Sequence, residues 1–250
     1  MIQVKSLDFD SLKELFKKEN YQVDVNSLDD KGWNLSKLVI KNIFNKLKDT
    51  TVKLDEFLKG NIYRGISSGL DKAFVIDEET KNVLIKNDSK SAEFIKPYLV
   101  GKDIRRYNVN NRNVFVIYVP WNFEINKYKS IKEHLEKFKS DLASRPEVKQ
   151  GRFPWYAMSR YASDYYHVFE KPKILYLKFQ VKPAFTFDVN CFFTNSAVWM
   201  IPGNDFALLG LLNSKLGWFL ISNYCSEIQG GYQLIYEYLK EIPIPKSLDP

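Results

Sequence analysis

Two short stretches of the chain mix cationic and aromatic side chains. Residues 96–107, KPYLVGKDIRRY, group Lys96, Lys102, Arg105 and Arg106 around Tyr98 and Tyr107. Residues 151–161, GRFPWYAMSRY, set Arg152 and Arg160 around Trp155, Tyr156 and Tyr161. Lys and Arg neutralise phosphates, and Arg can also grip a guanine edge with two hydrogen bonds. The rings either stack on bases or fill the core. A third stretch, Gly65 to Lys72, is polar and tight, with Ser67 and Ser68 between Gly65 and Gly69. Glycine permits positive φ, and exposed N–H and hydroxyl groups suit a phosphate or a base edge. The candidate contacts to DNA are therefore Ser67, Ser68, Lys72, Lys102, Arg105, Arg106, Arg152, Trp155, Tyr156 and Arg160. Trp155 and Tyr156 serve equally well as supports.

Catalytic motifs are sparse. The chain has no G-x-x-x-x-G-K phosphate loop, no glycine-rich cofactor turn behind a first strand and no polar-Pro-Pro-aromatic loop of the kind that holds an extruded adenine. Its two histidines are His134, expected to be solvated on a charged helix, and His167, expected to be packed or hydrogen-bonded. Neither belongs to a metal-ligand cluster. Glu147-Val148-Lys149 fits the E-x-K of metal-dependent nucleases, but its nearest upstream acid, Asp141, is expected on a helix rather than at a strand end. No catalytic, cofactor or metal residue is assigned in this chain.

The elements that must carry these residues come from a chain of 250 residues, 45% hydrophobic and 15% aromatic, which is ample material for a core. No apolar run is long enough to span a membrane, and residues 1–20 show no apolar signal core behind a basic start. Cys191 and Cys225 read as buried free thiols in a reducing cytoplasm. The net charge of +7 is unevenly placed. Residues 61–182 carry 23 Lys/Arg against 14 Asp/Glu, whereas residues 183–250 carry 3 against 6. A positive face is therefore expected from 61–182, with the remainder as scaffold. A basic excess suggests a polyanionic partner, although a lysine-rich surface would produce the same count.

Periodicity predicts helices over 10–19 and 35–48, with Asn34 or Ser36 as a cap, then a change of pattern near residue 50. Residues 1–50 are read as a helical lead-in and 51–250 as the main body. In that body, 73–76, 114–119, 173–179, 184–188 and 197–201 read as strands. Residues 77–87, 91–99 (broken at Pro97) and 130–143 read as helices, and a helical hairpin spans 205–225 with Asp205 as a cap. The fold expected is α+β: a curved or split mixed β-structure decorated with helices, with a C-terminal helical hairpin.

In order, the chain carries Gly-Ile-x-x-Gly-x-x-x-Ala-Phe-Val-Ile at 65–76, Ile-Lys-Pro-Tyr-Leu-x-Gly-x-Asp-Ile-x-x-Tyr at 95–107, and Gly-Arg-x-x-Trp-Tyr at 151–156. Lys-Pro-Lys-Ile at 171–174, Leu-Leu-Asn-Ser-Lys at 211–215 and Ile-Pro-Ile-Pro at 242–245 follow. This series resembles the TaqI-like C-terminal specificity domain of adenine-specific DNA methyltransferases and of restriction enzymes fused to them. The resemblance covers roughly 60–245. It implies a domain that recognises double-stranded DNA opposite a methyltransferase domain. That catalytic domain would lie upstream and hold S-adenosylmethionine. Where the family often has Thr-Gly and Asn, this chain has Ser68-Gly69 and Asp71. Asp71 disfavours a phosphate at that point but can accept a hydrogen bond from cytosine. The expected function is sequence-specific duplex recognition for a restriction–modification adenine methyltransferase. The alternatives are a stand-alone nuclease acting through Glu147 and Lys149, and a protein-interaction domain of a phage-defence assembly.

Overall fold

The computed structural model of the chain describes residues 11–23 and 38–247. The expected caps Asn34 and Ser36 lie outside the described residues. Two compact units result: residues 1–52 with 243–246, and residues 53–242 with 247–250.

The first unit holds α1 (Leu12–Glu19), α2 (Leu38–Leu47) and β1 (Thr51–Lys53). The Thr51 hydroxyl donates to the Leu47 carbonyl at 2.7 Å and closes the end of α2. β1 pairs with the closing strand Pro243–Pro245, a two-stranded edge where a proline costs no ladder bond.

The second unit begins with α3 (Leu54–Leu58), β2 (Tyr63–Arg64), α4 (Asp71–Phe74), β3 (Val75–Ile76), α5 (Glu78–Asn87) and β4 (Ile95–Leu99). Next come β5 (Ile104–Arg105), β6 (Asn108–Val109), β7 (Phe115–Ile117), α6 (Lys129–Glu136), α7 (Lys139–Ala143) and α8 (Pro146–Lys149). The later half contributes β8 (Lys173–Leu177), β9 (Phe179–Gln180), β10 (Phe185–Asp188), β11 (Phe193–Thr194) and β12 (Val198–Pro202). It ends in α9 (Phe206–Asn213), α10 (Lys215–Tyr224), β13 (Ser226–Ile228), β14 (Gly231–Gln233) and α11 (Tyr236–Leu239).

The β-structure is split, as expected. One sheet runs β10–β8–β12–β2 and a second β11–β4–β7–β3, with a smaller β13–β14–β9 sheet and a β5–β6 hairpin beside them. β8 is central in the first sheet, and Lys173 to Tyr176 are all buried, so the strand reads as a nearly continuous apolar run. Side chains of both four-stranded sheets share one core that includes Phe74, Leu99, Ile117, Phe169, Leu175, Phe193 and Met200. The helical hairpin forms at α9 and α10. Its starts are set by Asp205, which accepts the Leu208 N–H at 2.7 Å, and by Ser214, which accepts the Gly217 N–H at 2.9 Å.

Several expectations are corrected. Residues 91–99 do not form a helix: one 3-10 segment, Ser89–Phe94, gives way to β4, with Pro97 inside the strand. Pro97 is tolerated because β11 pairs only with Tyr98 and Leu99, which leaves that side of the strand open at residue 97. Ala73 and Phe74 complete α4, and only Val75 and Ile76 are extended. The helix over 130–143 divides at Lys137–Phe138 into α6 and α7. His134 is buried, because Ser130, Ile131, His134 and Leu135 share the inner face of α6 while the charges lie outside. One of its ring nitrogens lies 3.0 Å from the Ala73 carbonyl. His167 is exposed on the Tyr166–Val168 turn instead of packed. Of the two thiols, Cys225 is buried and Cys191 only half-buried.

A buried ion pair sits between β10 and β8 of the first sheet. Lys173 and Asp188 are register partners, both side chains are fully buried, and their charges lie 2.7 Å apart. Lys173 also donates to the Phe169 carbonyl at 2.7 Å, and Asp188 accepts the N–H groups of Asn190 and Phe192. Removing one partner strands the other charge. Asp188→Ala is therefore expected to cost about 3–5 kcal/mol in chemical denaturation, and Lys173→Met with Asp188→Leu together to cost less than either single change.

Burial pulls His134 below the ordinary imidazole range, against the hydrogen bond to Ala73. The unfolded chain then takes up a proton that the folded chain refuses. Stability is fully present above about pH 6.5 and declines as the pH falls through that value. Denaturation midpoints between pH 8 and pH 5 should show this slope, and His134→Gln should flatten it.

Candidate nucleic-acid interface

The glycine-flanked loop follows directly from β2, which pairs with β12 through Arg64 opposite Trp199. At Gly65 the chain leaves β12 and runs against residues 194–195, where the Ile66 N–H donates to the Thr194 carbonyl at 2.8 Å. The approach is so close that a Cβ on Gly65 would lie 2.1 Å from the Asn195 oxygen. The loop then changes partner. Ser67 and Arg160 exchange backbone hydrogen bonds at 2.9 and 3.0 Å, and the Ser159 N–H reaches the Ser68 carbonyl. Gly69 has φ +80°, and a Cβ there would meet the Ser159 hydroxyl at 2.1 Å. Both glycines are thus used for close internal packing, and one also for its left-handed backbone.

Arg145 holds the loop from behind. It is only 8% exposed. Its guanidinium donates to the carbonyls of Leu142 (2.9 Å), Ser68 (3.3 Å), Trp155 (2.6 Å) and Ala157 (2.9 Å) and lies 5.2 Å from the centre of the Phe153 ring. One side chain therefore ties the 65–70 loop to the 155–157 segment.

The structure brings some of the expected residues together here. Arg160 and Arg152 are exposed beside the loop, and Ser67 is half-buried. Ser68 is buried, and its hydroxyl donates to Asp71 and accepts the Leu70 N–H. Lys72 is exposed and paired with Asp141. Trp155 is half-buried under the Lys139 ammonium, and the Tyr156 hydroxyl donates to the Phe123 carbonyl at 3.1 Å. Both rings brace the segment.

Lys102, Arg105 and Arg106 are exposed elsewhere, around the β5–β6 hairpin. That hairpin packs on β10 and β8, whereas the loop leaves from β2, at the opposite edge of the sheet from β10. Arg105 folds back on the carbonyls of Lys102 (2.7 Å) and Ile104 (2.8 Å). Arg106 donates to the Asn213 carbonyl at 2.9 Å.

Sequence reasoning missed four cations or their roles. Arg64 enters the site from β2, where its neighbour Tyr63 stacks on Tyr165 at 4.8 Å. Burial raises the Tyr165 phenol above its ordinary range, while Arg64 and Arg160 pull it the other way. Arg112 closes two hydrogen bonds, 2.6 and 2.9 Å, on buried Asp103. Burial pushes the Asp103 carboxyl up, but Arg112 and the Val100 N–H hold it below the usual range. Arg145 and Lys173 serve the scaffold. The only advance signal was the position of Arg64, next to Gly65. The E-x-K residues lie on α8, and among the described residues no group of three or more His, Cys, Asp or Glu side chains could hold a metal ion.

Residues 96–244 match the family model of the TaqI-like C-terminal specificity domain. The chain belongs to this family. The match begins at Lys96, after the 65–76 segment that also carried the resemblance. No curated protein sequence matches the chain. Among solved structures, it resembles the type IIL restriction-modification enzyme MmeI in complex with DNA, with 14% identity and a TM-score of 0.53 over 72% of this chain and 24% of that one. A second, the type IIG restriction endonuclease BpuSI, aligns at 11% identity and a TM-score of 0.48 over 84% of this chain and 26% of that one. The chain thus spans about a quarter of the length of these enzymes. The likeness to MmeI is one of fold: a mixed α+β body of the restriction–modification specificity type. Among the described residues, no helix is long and apolar enough to cross a membrane.

The packing of the glycine-flanked loop is open to test. Gly65→Ala and Gly69→Ala should each cost about 1–3 kcal/mol in chemical denaturation, since a methyl group at Gly65 meets backbone carbonyls that cannot withdraw, and one at Gly69 meets the Ser159 side chain on a left-handed backbone. Gly210→Ala, on α9 with open space around it, should gain about 0.5–1 kcal/mol. Equal midpoints for all three would contradict the loop geometry.

Proposed function

We propose that this chain is the target-recognition part of a restriction–modification adenine methyltransferase, holding a DNA duplex while a separate catalytic part methylates one adenine. Membership of the specificity-domain family over residues 96–244 carries this reading. Exposed Arg152 and Arg160 beside the Ser67 loop supply a surface for it. On this reading Arg152, Arg160 and Lys72 meet the duplex near the loop, with Ser67 at the backbone or a groove edge. Lys72 would exchange Asp141 for a phosphate. Lys102, Arg105 and Arg106 take phosphates at the β5–β6 hairpin. Ser68, Trp155 and Tyr156 act by keeping the loop in shape. Residues 1–50 serve as a connector.

The methyl donor S-adenosylmethionine is assigned to the catalytic part.

Binding of the chain to duplexes differing by single bases, measured across a range of salt, tests the proposal. One short sequence should be preferred, and affinity should fall steeply with salt. Arg105→Ala should weaken binding to all sequences and make the log–log salt slope shallower by about 0.9, the share of one phosphate contact. Absence of any sequence preference at low salt would refute the reading.

A further inference from the structure

Beside the loop lies a recess of about 320 Å³ bordered by Trp121, Phe153, Tyr161, Arg152, Arg160 and Glu147. Its volume is at the lower end for a small-molecule site, the scale of a single nucleotide. The aromatic lining is ordered. The Trp121 indole N–H donates to the Met158 carbonyl at 2.8 Å, and the ring stacks on Phe153 at 5.2 Å and 21°. Phe153 in turn lies beneath the Arg145 guanidinium, so a column of cation, phenyl and indole runs outward and ends on a ring that is 41% exposed. Tyr161 tilts against the same indole at 5.4 Å.

The polar rim is mainly cationic. Arg152 and Arg160 are exposed, and among the described residues neither forms an ion pair with a carboxylate. Tyr165, which also lines the recess, stacks on Tyr63, the β2 neighbour of Arg64. Glu147 is the one carboxylate lining the recess.

We propose that this recess receives one nucleotide swung out of the bound duplex, an inference that rests on the duplex-recognition reading above. The base stacks on Trp121, which continues the column and needs no particular base identity. The guanidiniums of Arg152 and Arg160 meet its phosphates. Glu147 accepts a hydrogen bond from an exocyclic amino group, favouring adenine, cytosine or guanine over thymine. An apolar peptide would leave both guanidiniums unpaired, and an acidic one would face Glu147 without a stacking partner for Trp121.

Extrusion must break one base pair, so a mismatch at the extruded position removes part of that cost and tightens binding. The experiment uses the 250-residue chain without a catalytic partner, so that an adenine extruded elsewhere makes no contribution. Its preferred duplex is first selected from random sequence. Mismatches are then placed at each position in turn and affinities read by fluorescence anisotropy. At one position a mismatch should strengthen binding about tenfold or more. Trp121→Ala should abolish that gain while selectivity among matched duplexes persists. Trp121→Phe, which keeps a ring and is the safer variant for folding, should retain part of it. Sequence-selective binding with no position at which a mismatch helps would overturn the inference and leave the recognition reading standing. So would a gain that survives in Trp121→Ala, which would assign the effect to easier DNA bending. If no duplex sequence is preferred, both fall together.

Discussion

Arg145 is a buried cation with no carboxylate paired to it among the described residues, and the site is built around satisfying its guanidinium. Burying a charge is tolerable only when its donors are matched, and here four carbonyls from three stretches of chain converge on one planar group. That convergence forces the 65–70 loop against residues 155–159. It leaves no room for a side chain at Gly69, turns Ser68 inward and sets the backbone pair between Ser67 and Arg160. The exposed cations beside the loop owe their placement to a cation that never reaches the surface.

The basic excess of the central region therefore divides into two kinds. Part of it is spent inside the protein, where Lys173 matches Asp188 and Arg145 gathers carbonyls, or from outside on a buried carboxylate, as Arg112 clasps Asp103. Part is partnered at the surface, as with Lys96 and Glu170 or Lys72 and Asp141. Among the described residues, the cations left without an ion pair include Arg152 and Arg160 beside the loop, Arg105 and Arg106 at the β5–β6 hairpin, and scattered exposed lysines such as Lys90, Lys149 and Lys182. A charge count cannot make this division, because it depends on partners that are distant in the chain.

The same distance explains which features could be read from residues alone. The strands at 114–119, 173–179, 184–188 and 197–201, the N-cap at Asp205 and the α+β character are local signals, and each has its counterpart in the fold. The loop glycines were marked as special for positive φ, yet Gly65 is required by the approach of Asn195, a residue that sequence spacing cannot bring near. His134 was misjudged because the charges flanking it on α6 mask a narrow buried face. Pro97 was misjudged because a proline ends a helix far more often than it sits in a strand whose neighbour stops one residue away. The recess beside the loop draws Trp121, Phe153 and Tyr165 from separate segments, and no pattern within any one of them announces it.

The body that carries the site enters and leaves by one door. The Leu54 N–H donates to the Ile242 carbonyl at 2.8 Å, and the Asp55 N–H to the Lys240 carbonyl at 3.0 Å, so the two ends of the stretch 54–242 are hydrogen-bonded neighbours. A module with adjacent ends can be exchanged as a block by recombination, since a foreign replacement need match its host at a single junction. In the gene the exchange takes two crossovers, one at each end of residues 54–242, yet in the folded protein both fall at one place.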